Sequence, residues 1–356
     1  MLVPTSSNGR SKAPEATSEF PRILTTYRKG GLSSWLERVV LLEDLDTEVA
    51  QQWGKHVGSA HQLRRDWIWA WRLFRMSRDF DAVVTGSDRL SRMFAILQRV
   101  LRRRRVPHVY IDWLCNVEGG NRFSRIVRCA HLRWSVLGAS RALVQGKAEV
   151  SGYAAELGVP TARFQFVPYH STIYTTPFHI EAGDYIFSGG DGNRDYPSLI
   201  AAVRGLPFRT KIAALSFEHF VSIDMPQNVE VVPLSQGDYI QAMASSRVVV
   251  VPIRGELLHP GGQQTWLNAM AMGKPVIVAE DQSARDYIED GVSGLLVPPG
   301  DVEALRHAIK SVMENPGLGC SLGRAAQIRA ASFTPERFCD RVLSVVEECV
   351  GEARRS

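Results

Sequence analysis

The chain lacks the residue patterns that would place it in a bilayer, in an oxidising compartment or around a metal ion. No apolar run reaches the roughly 18 residues that a membrane-spanning helix needs. No Asp-x-Asp triad follows a suitable strand, and the His, Cys, Asp and Glu residues do not cluster, so we expect no metal and no other cofactor. The five cysteines show neither CxxC spacing nor a pairing framework, which argues against a zinc site and a disulfide scaffold; they are Cys115, Cys129, Cys320, Cys339 and Cys349.

Two further motifs are missing. No GxSxG elbow or Cys/His arrangement indicates a hydrolytic nucleophile. Residues 1–20 are rich in Ser, Thr and Pro and lack the apolar core of a signal peptide, so we expect a disordered tail and a cytoplasmic protein.

Charge is present but unevenly divided. Through Thr175 the chain carries 26 Lys and Arg against 15 Asp and Glu, whereas the remainder carries 16 against 22. Such asymmetry indicates that the basic half faces an anionic partner, with nucleic acid, anionic lipid and a phosphorylated substrate as candidates. No recognised nucleic-acid-binding module accompanies the arginines, so we do not expect nucleic acid.

Short apolar runs alternate with helix-like stretches along the whole chain, a pattern typical of parallel sheets. The simplest interpretation is an α/β protein with two Rossmann-like domains that face each other across a cleft. A turn-rich stretch between the two alternating series predicts a linker. The expected divisions are a tail at 1–20, a first domain at 21–172, a linker at 173–184, a second domain at 185–334 and a terminal helix at 335–356.

The stretch from Gly261 to Asp301 is the most informative in the chain. Gly261 and Gly262 form a turn that opens a short amphipathic helix, which ends at Gly273 before a buried strand. The first N–H groups of a helix lack partners and the helix dipole adds positive charge there, so the turn favours a phosphate or diphosphate. Side chains of the first turn either bind phosphate and sugar or merely cap the helix; they are Gln263, Gln264 and Thr265.

This stretch resembles, nearly residue for residue, the donor-binding region of family 4 glycosyltransferases. The shared segments are NAMAMGKPV from Asn268 and IEDGVSGLLVPPGD up to Asp301. The resemblance implies a GT-B type fold, a nucleotide-sugar donor held by the second domain, and a terminal helix that returns to the first domain. The family's Glu-x7-Glu pair is missing, because Pro260 and Asn268 occupy its two positions.

The resemblance implies roles for two residues near the missing pair. Glu256 stands four residues after Pro252, as the first family glutamate does, and either contacts the donor sugar from a longer loop or is a solvated charge. Asn268 either binds a ribose hydroxyl through its amide or satisfies a nearby carbonyl in a purely structural helix.

Other donor contacts follow from strand-end turns of the second half. The turn Ser188 to Arg194 lets backbone approach a ligand at Gly189 and Gly190, and Arg194 can pair with phosphate oxygens, although a plain structural turn is the alternative. The resemblance places Leu234 in a turn that meets the nucleotide base. Arg254 is a second candidate phosphate partner, with an ordinary surface arginine as the alternative.

The strand His108 to Ile111 ends at Asp112, which therefore points toward the cleft. A carboxylate there can accept the proton of an acceptor hydroxyl in an inverting transfer, bind the acceptor, or cap the next segment. The resembled family retains configuration and needs no such base.

Tryptophan and arginine are interleaved between Leu63 and Met76. Leu63, Trp67, Ala70, Trp71 and Phe74 form one predicted core-facing stripe, which leaves other apolar residues beside arginines. A second helix ends in four arginines, residues 102–105. We interpret these two helices as a surface that contacts an anionic inner leaflet. The alternative is that their basic ends are simply solvated.

The leading hypothesis is therefore a metal-independent glycosyltransferase that moves a sugar from a nucleotide-sugar to a glycan or lipid-linked acceptor. A nucleotide-sugar epimerase of the same fold and an inactive nucleotide-sugar-binding protein are the alternatives. The sugar, the base and the stereochemistry are not readable from the residues.

Overall fold

The structure, a computed structural model, contains two parallel sheets. It describes residues 21–25, 39–41, 59–86, 89–101, 106–113, 121–173, 176–181, 183–255, 258–259 and 261–355.

The first domain has six described strands, all paired in parallel. They are β1 Ile23–Thr25, β2 Val39–Leu41, β3 Ala82–Thr85, β4 His108–Tyr110, β5 Arg141–Val144 and β6 Phe164–Phe166, in the spatial order β2-β1-β3-β4-β5-β6. Its helices are α1 Ser59–Met76, α2 Arg89–Leu101, α3 Arg122–Gly138 and α4 Lys147–Leu157. Helix α2 packs between α1 and α3.

The second domain has six more parallel strands. They are β7 Ile186–Gly189, β8 Thr210–Ala213, β9 Val229–Val232, β10 Val248–Val251, β11 Val276–Ala279 and β12 Leu295–Val297, in the spatial order β12-β11-β10-β7-β8-β9. Its helices are α5 Tyr196–Val203, α6 Gln236–Ala244, α7 Gln263–Ala271, α8 Ala284–Tyr287, α9 Val302–Glu314 and α10 Pro316–Ala330.

The strand order of the second domain reverses between β7 and β10. Helices cover both faces there, so the four valines of β10 are fully buried, as a central parallel strand requires. In doubly wound sheets, ligands bind outside the carboxyl ends of the strands at such a reversal. The turns after Gly189 and Val251 therefore mark the expected ligand position.

The last helix, α11 Pro335–Arg355, packs on the sheet of the first domain. Its apolar face, which includes Val342 and Val346, joins one buried cluster with Ile23, Val84 and Val109. Ser171 donates its backbone N–H to the Phe333 carbonyl at 2.8 Å, so the two chain crossings between the domains lie side by side.

The core-facing stripe expected for α1 is wrong in part. Trp67 and Trp71 are each 43% exposed, whereas Ala70, Leu73 and Phe74 are buried. The buried residues Ala70, Leu73 and Phe74, together with Ser77 just after the helix, are spaced three and four apart and form one face. Both tryptophans lie at the edge of that face. The side chain of Leu63 and residues 102–105 lie outside the described part.

The expected fold class is confirmed: the protein consists of two Rossmann-like domains with a cleft between them. Among the described helices, none is both long enough and apolar enough to span a membrane.

Candidate functional site

A cleft of about 480 Å³ lies between the domains, at the carboxyl ends of β4, β5, β7 and β10. The first domain contributes Asp112, Gln145, Tyr169 and Thr172, and the second domain contributes Gly190, Gly192, Arg194, Gln236, Tyr239, Ile240, His259, Gly262, Gln263, Gln264, Thr265 and Asn268.

The amino terminus of α7 opens onto this cleft without a cap. Gly262 occupies the N-cap position with a φ of 78° and has no side chain to accept a hydrogen bond. The backbone N–H groups of Gly262, Gln263 and Gln264 form no hydrogen bond with any described residue. Donor groups of this kind at the positive end of a helix dipole attract an anion.

Arg194 lies against the same helix terminus and is only 4% exposed. Its guanidinium donates to the Gly189 carbonyl at 3.0 Å, to the Gly192 carbonyl at 2.6 Å and to Thr265 Oγ1 at 3.2 Å. All three acceptors are neutral, and no described carboxylate forms an ion pair with it. Burial lowers the pKa of Arg194 from its ordinary value, yet an arginine remains charged at neutral pH. Among the described residues this buried cation forms no ion pair, although the nearby Asp191 carboxylate opposes the lowering of its pKa, and it lines the cleft.

Glycines make room for this guanidinium. A Cβ on Gly262 would lie 3.0 Å from Arg194 Nη1, and one on Gly190 would lie 2.8 Å from Nη2. A Cβ on Gly189 would instead meet the Tyr239 ring at 2.4 Å. The glycine turn expected from the sequence therefore leaves the space that the side chains of Arg194 and Tyr239 occupy.

Asn268 is buried and faces residues 171 and 172, which immediately precede the expected linker. Its Oδ1 accepts hydrogen bonds from Ser171 Oγ and from the Thr172 N–H, each at 2.8 Å, and its Nδ2 donates to Thr172 Oγ1 at 3.2 Å. Gln264 Nε2 donates to the same Thr172 hydroxyl at 2.7 Å. The helix that carries the candidate donor residues is therefore tied to the chain segment that joins the two domains.

Gln263 is involved in a second contact between the domains. Its Nε2 donates to the Gln145 carbonyl at 3.1 Å and to the Tyr287 hydroxyl at 3.0 Å. The Tyr287 hydroxyl also accepts the N–H of Tyr169 at 2.9 Å and donates to the Gln145 carbonyl. Burial raises the pKa of Tyr287, so this hydroxyl stays protonated and remains a donor.

Asp281 fixes the start of the glycine turn. Its Oδ2 accepts the Gly261 N–H at 2.9 Å, and its Oδ1 accepts the N–H groups of Ser283 and Ala284. Burial raises the pKa of this carboxyl, although the three N–H donors oppose that shift. The loop before α7 is thereby anchored to the end of β11.

Asp112 lines the cleft on the side of the first domain. Its φ of 54° is in the left-handed region, which costs a non-glycine residue on the order of 1 kcal/mol. Its Oδ1 accepts a hydrogen bond from Gln145 Nε2 at 2.6 Å. Strain at a strand end that faces a cleft is typical of functional positions.

The structure brings together eight of the expected site residues and leaves others outside the lining. The eight are Asp112, Gly190, Arg194, Gly262, Gln263, Gln264, Thr265 and Asn268, whereas Gly189, Leu234, Arg254 and Gly261 do not line the cleft. Arg254 is exposed. Glu256 and Pro260 lie outside the described residues, so the role assigned to Glu256 stays a prediction.

Sequence reasoning missed several cleft residues, among them Gln145, Tyr239 and His259. The Tyr239 hydroxyl lies 3.1 Å from Thr265 Oγ1, which extends the polar group around Arg194. Gln145 immediately follows β5, so the strand-end reasoning applied to Asp112 would have found it. Within the described ranges, no group of three or more His, Cys, Asp or Glu residues is arranged to hold a metal ion.

The second domain resembles a family of known proteins. The family model described as "Glycosyl transferases group 1" matches residues 213–315. The D-inositol 3-phosphate glycosyltransferase of Saccharomonospora viridis is 30% identical over 122 residues, which cover 34% of this chain and 27% of that protein. The matched region thus spans about a quarter of that curated relative.

Solved structures resemble the chain over nearly its whole length. HepE from Anabaena in complex with UDP has a TM-score of 0.66 at 17% identity, covering 92% of this chain and 99% of that one. The same protein in complex with UDP-glucose gives a TM-score of 0.66 at 16% identity, with 92% and 100% coverage. At this identity the likeness shows the fold, which is the GT-B fold.

Proposed function

We propose, on the premise that this chain has the GT-B fold and a second domain resembling group 1 glycosyl transferases, that it is a glycosyltransferase using a nucleotide-sugar donor. One observation carries the proposal. The buried Arg194 guanidinium lacks a carboxylate partner among the described residues and lies beside the uncapped amino terminus of α7. That pair of features fits a diphosphate better than any neutral ligand.

The same features match the demands of glycosyl transfer. As the bond between the anomeric carbon and the diphosphate breaks, negative charge grows on the departing oxygen. The α7 amides and Arg194 are oriented before the reaction begins, so they stabilise that charge without reorganisation. We propose on this ground that transfer needs no metal.

The acceptor belongs on the opposite wall of the cleft. Asp112 and Gln145 of the first domain lie there, and their carboxylate and amide groups suit the hydroxyls of a glycan. The acceptor we propose is a lipid-linked or polysaccharide precursor.

Thermal unfolding with UDP, GDP and ADP tests the donor site. At a nucleotide concentration about 100 times its dissociation constant, binding adds about 2.7 kcal/mol to the free energy of unfolding, so we expect one nucleotide to raise the Tm by several degrees. UDP-glucose, GDP-mannose and ADP-glucose then test turnover through release of the nucleoside diphosphate. No shift with any nucleotide contradicts the proposal, and conversion of a donor to its epimer without an acceptor identifies an epimerase instead.

A membrane location of the acceptor is supported by the outer surface of the first domain. Helix α3 exposes Phe123 (74%), Ile126 (58%), Val127 and Trp134, which are spaced along a single face of the helix. Exposed arginines flank this stripe at Arg122, Arg125 and Arg133. Aromatic and aliphatic side chains beside arginines suit the interface of an anionic bilayer, and Trp67 and Trp71 on α1 add to the same composition.

Flotation with lipid vesicles tests this surface. We expect the protein to float with vesicles containing one third phosphatidylserine and to stay behind with pure phosphatidylcholine, because each interfacial arginine adds about 1 kcal/mol only on an anionic surface. The double variant Phe123→Ser, Ile126→Ser should lose most of the floating fraction.

Ile328→Ser is the matched control, since Ile328 is equally exposed but lies on α10 of the second domain. Flotation that is unaffected by the α3 variant contradicts the assignment. A shift of that variant from dimer to monomer in solution would instead identify the stripe as an interface between copies of the chain.

A further inference from the structure

A fully buried carboxylate of the first domain is hydrogen-bonded to an imidazole of the second domain at the edge of the cleft. Glu149 Oε1 lies 2.9 Å from His259 Nδ1. Glu149 Oε2 accepts the backbone N–H groups of Gln145 at 2.8 Å and Gly146 at 2.7 Å. Glu149 stands in the first turn of α4, where its side chain caps the first N–H groups of the helix.

The loop that carries His259 is held against α4 by a second contact. Gly152 lies on α4, and a Cβ there would come within 2.2 Å of Leu258 Cδ1, so the glycine leaves room for Leu258. Leu258 packs against the apolar cluster that includes Tyr153 and Leu157 of the same helix. The imidazole is therefore fixed by packing on one side and by a carboxylate on the other.

The position of His259 relates it to both halves of the cleft. It precedes Gly261 by two residues, so it lies in the loop that leads into the amino terminus of α7. It also lines the cleft and contacts the first domain. A sugar attached to a diphosphate at α7 and an acceptor held by the first domain would meet beside this side chain.

We propose that His259 accepts the proton of the acceptor hydroxyl and that Glu149 positions it, an inference that rests on the proposed glycosyltransferase function and that separates this chain from the resembled family, which needs no such base. When Nδ1–H donates to an ionised carboxylate, Nε2 is the nitrogen that accepts a proton, and the carboxylate stabilises the imidazolium that results. The acceptor O–H bond breaks, its proton moves to Nε2, and the oxygen forms a bond to the anomeric carbon. The bond from that carbon to the diphosphate breaks, and the diphosphate leaves with the electron pair.

Asp112 is the competing proton acceptor on the same wall. Its Oδ1 accepts a hydrogen bond from Gln145 Nε2 at 2.6 Å, and its side chain lines the cleft. Replacing each residue in turn shows which one removes the proton, because only the loss of the base slows transfer to an acceptor that has a proton to lose.

Azide separates a base from a purely structural residue, because it attacks the anomeric carbon without needing a base. Release of nucleoside diphosphate from UDP-glucose, GDP-mannose and ADP-glucose is measured with water as the acceptor and then with added azide. We expect His259→Gln to lower the water-dependent rate about 100-fold, as loss of a general base does, and to leave the azide-dependent rate within about threefold of the wild type. Glu149→Gln should lower only the water-dependent rate, by about tenfold, while nucleotide affinity stays unchanged.

His307→Gln is the control, because His307 is an exposed histidine of α9. Equal loss of the water and azide rates in His259→Gln overturns the inference, since the pair then only holds the domains together. An azide-sparing loss in Asp112→Asn but not in His259→Gln overturns it in favour of Asp112. A wild-type protein that releases no diphosphate from any of the three donors refutes the proposed function itself, and this inference with it.

Discussion

Replacing Arg194 with alanine is expected to abolish the rise in Tm that nucleoside diphosphate produces. A hydrogen bond between a guanidinium and a phosphate contributes about 1.5 to 3 kcal/mol, so the loss of two lowers affinity roughly 100-fold or more. The site offers no described second cation at the same position, because Arg254 lies outside the cleft lining. Isothermal titration with the nucleotide that stabilises the wild type measures the loss directly.

The unliganded Arg194→Ala protein should remain folded. The substitution removes hydrogen bonds to Gly189, Gly192 and Thr265, but it also removes a buried charge that has no described counter-ion. These two effects oppose each other. We therefore expect the free energy of unfolding without ligand to change much less than the free energy of binding.

Two variants sharpen this experiment. Arg194→Lys keeps the charge but loses the planar fork, so its affinity should fall between those of the wild type and Arg194→Ala. Arg306→Ala is the matched control, since Arg306 donates to the Ala202 and Arg204 carbonyls, each at 2.9 Å, outside the cleft. Nucleotide binding that survives Arg194→Ala, or that falls equally in Arg306→Ala, contradicts the assignment of Arg194 to the diphosphate.

Tyr287→Phe should destabilise the whole protein by about 2 to 3 kcal/mol. The hydroxyl satisfies the buried Tyr169 N–H and one hydrogen of the Gln263 amide, and it donates to the Gln145 carbonyl. Phenylalanine keeps the packing of the ring against Trp266 and Phe333 but removes the oxygen that accepts the Tyr169 N–H and the Gln263 amide. Urea unfolding followed by circular dichroism measures the change in the midpoint and in the free energy of unfolding.

Tyr185→Phe provides the comparison for this effect. The Tyr185 hydroxyl makes one hydrogen bond, to the Ala242 carbonyl, within the second domain and in a half-buried position. Its loss should cost about 1 kcal/mol or less. Equal destabilisation by the two variants would mean that the Tyr287 hydroxyl does not join the domains in the way that its three contacts indicate.

Much of the second domain could be predicted from the residues alone. Strands such as Val248–Val251 are continuous apolar runs, because a central parallel strand is buried on both faces, and that pattern also fixes their bounds. Helix α10, which begins at Pro316, has many small residues and no strong apolar period, so no helix was expected there.

The exposed stripe on α3 of the first domain was missed for a different reason. Its period resembles that of a core-facing helix, and only the packing tells which side faces solvent.

The site likewise combines features that are local in the sequence with contacts between residues that are far apart in it. The glycine turn, the α7 terminus and Arg194 lie within short segments whose patterns are legible in one sequence. The Glu149–His259 pair joins positions 110 apart, and the Asn268 contacts with Ser171 and Thr172 span nearly as far. Such contacts depend on how the two domains meet, and no local spacing encodes them.

The packing of α11 on the first sheet also imposes an order on biosynthesis. The face of that sheet bearing Ile23, Val84 and Val109 is covered by Val342 and Val346, which are translated after the entire second domain. While the ribosome makes the strands and helices of the second domain, this face of the first sheet has not yet acquired its covering helix. The first domain can therefore complete its folding only after α11 has been made.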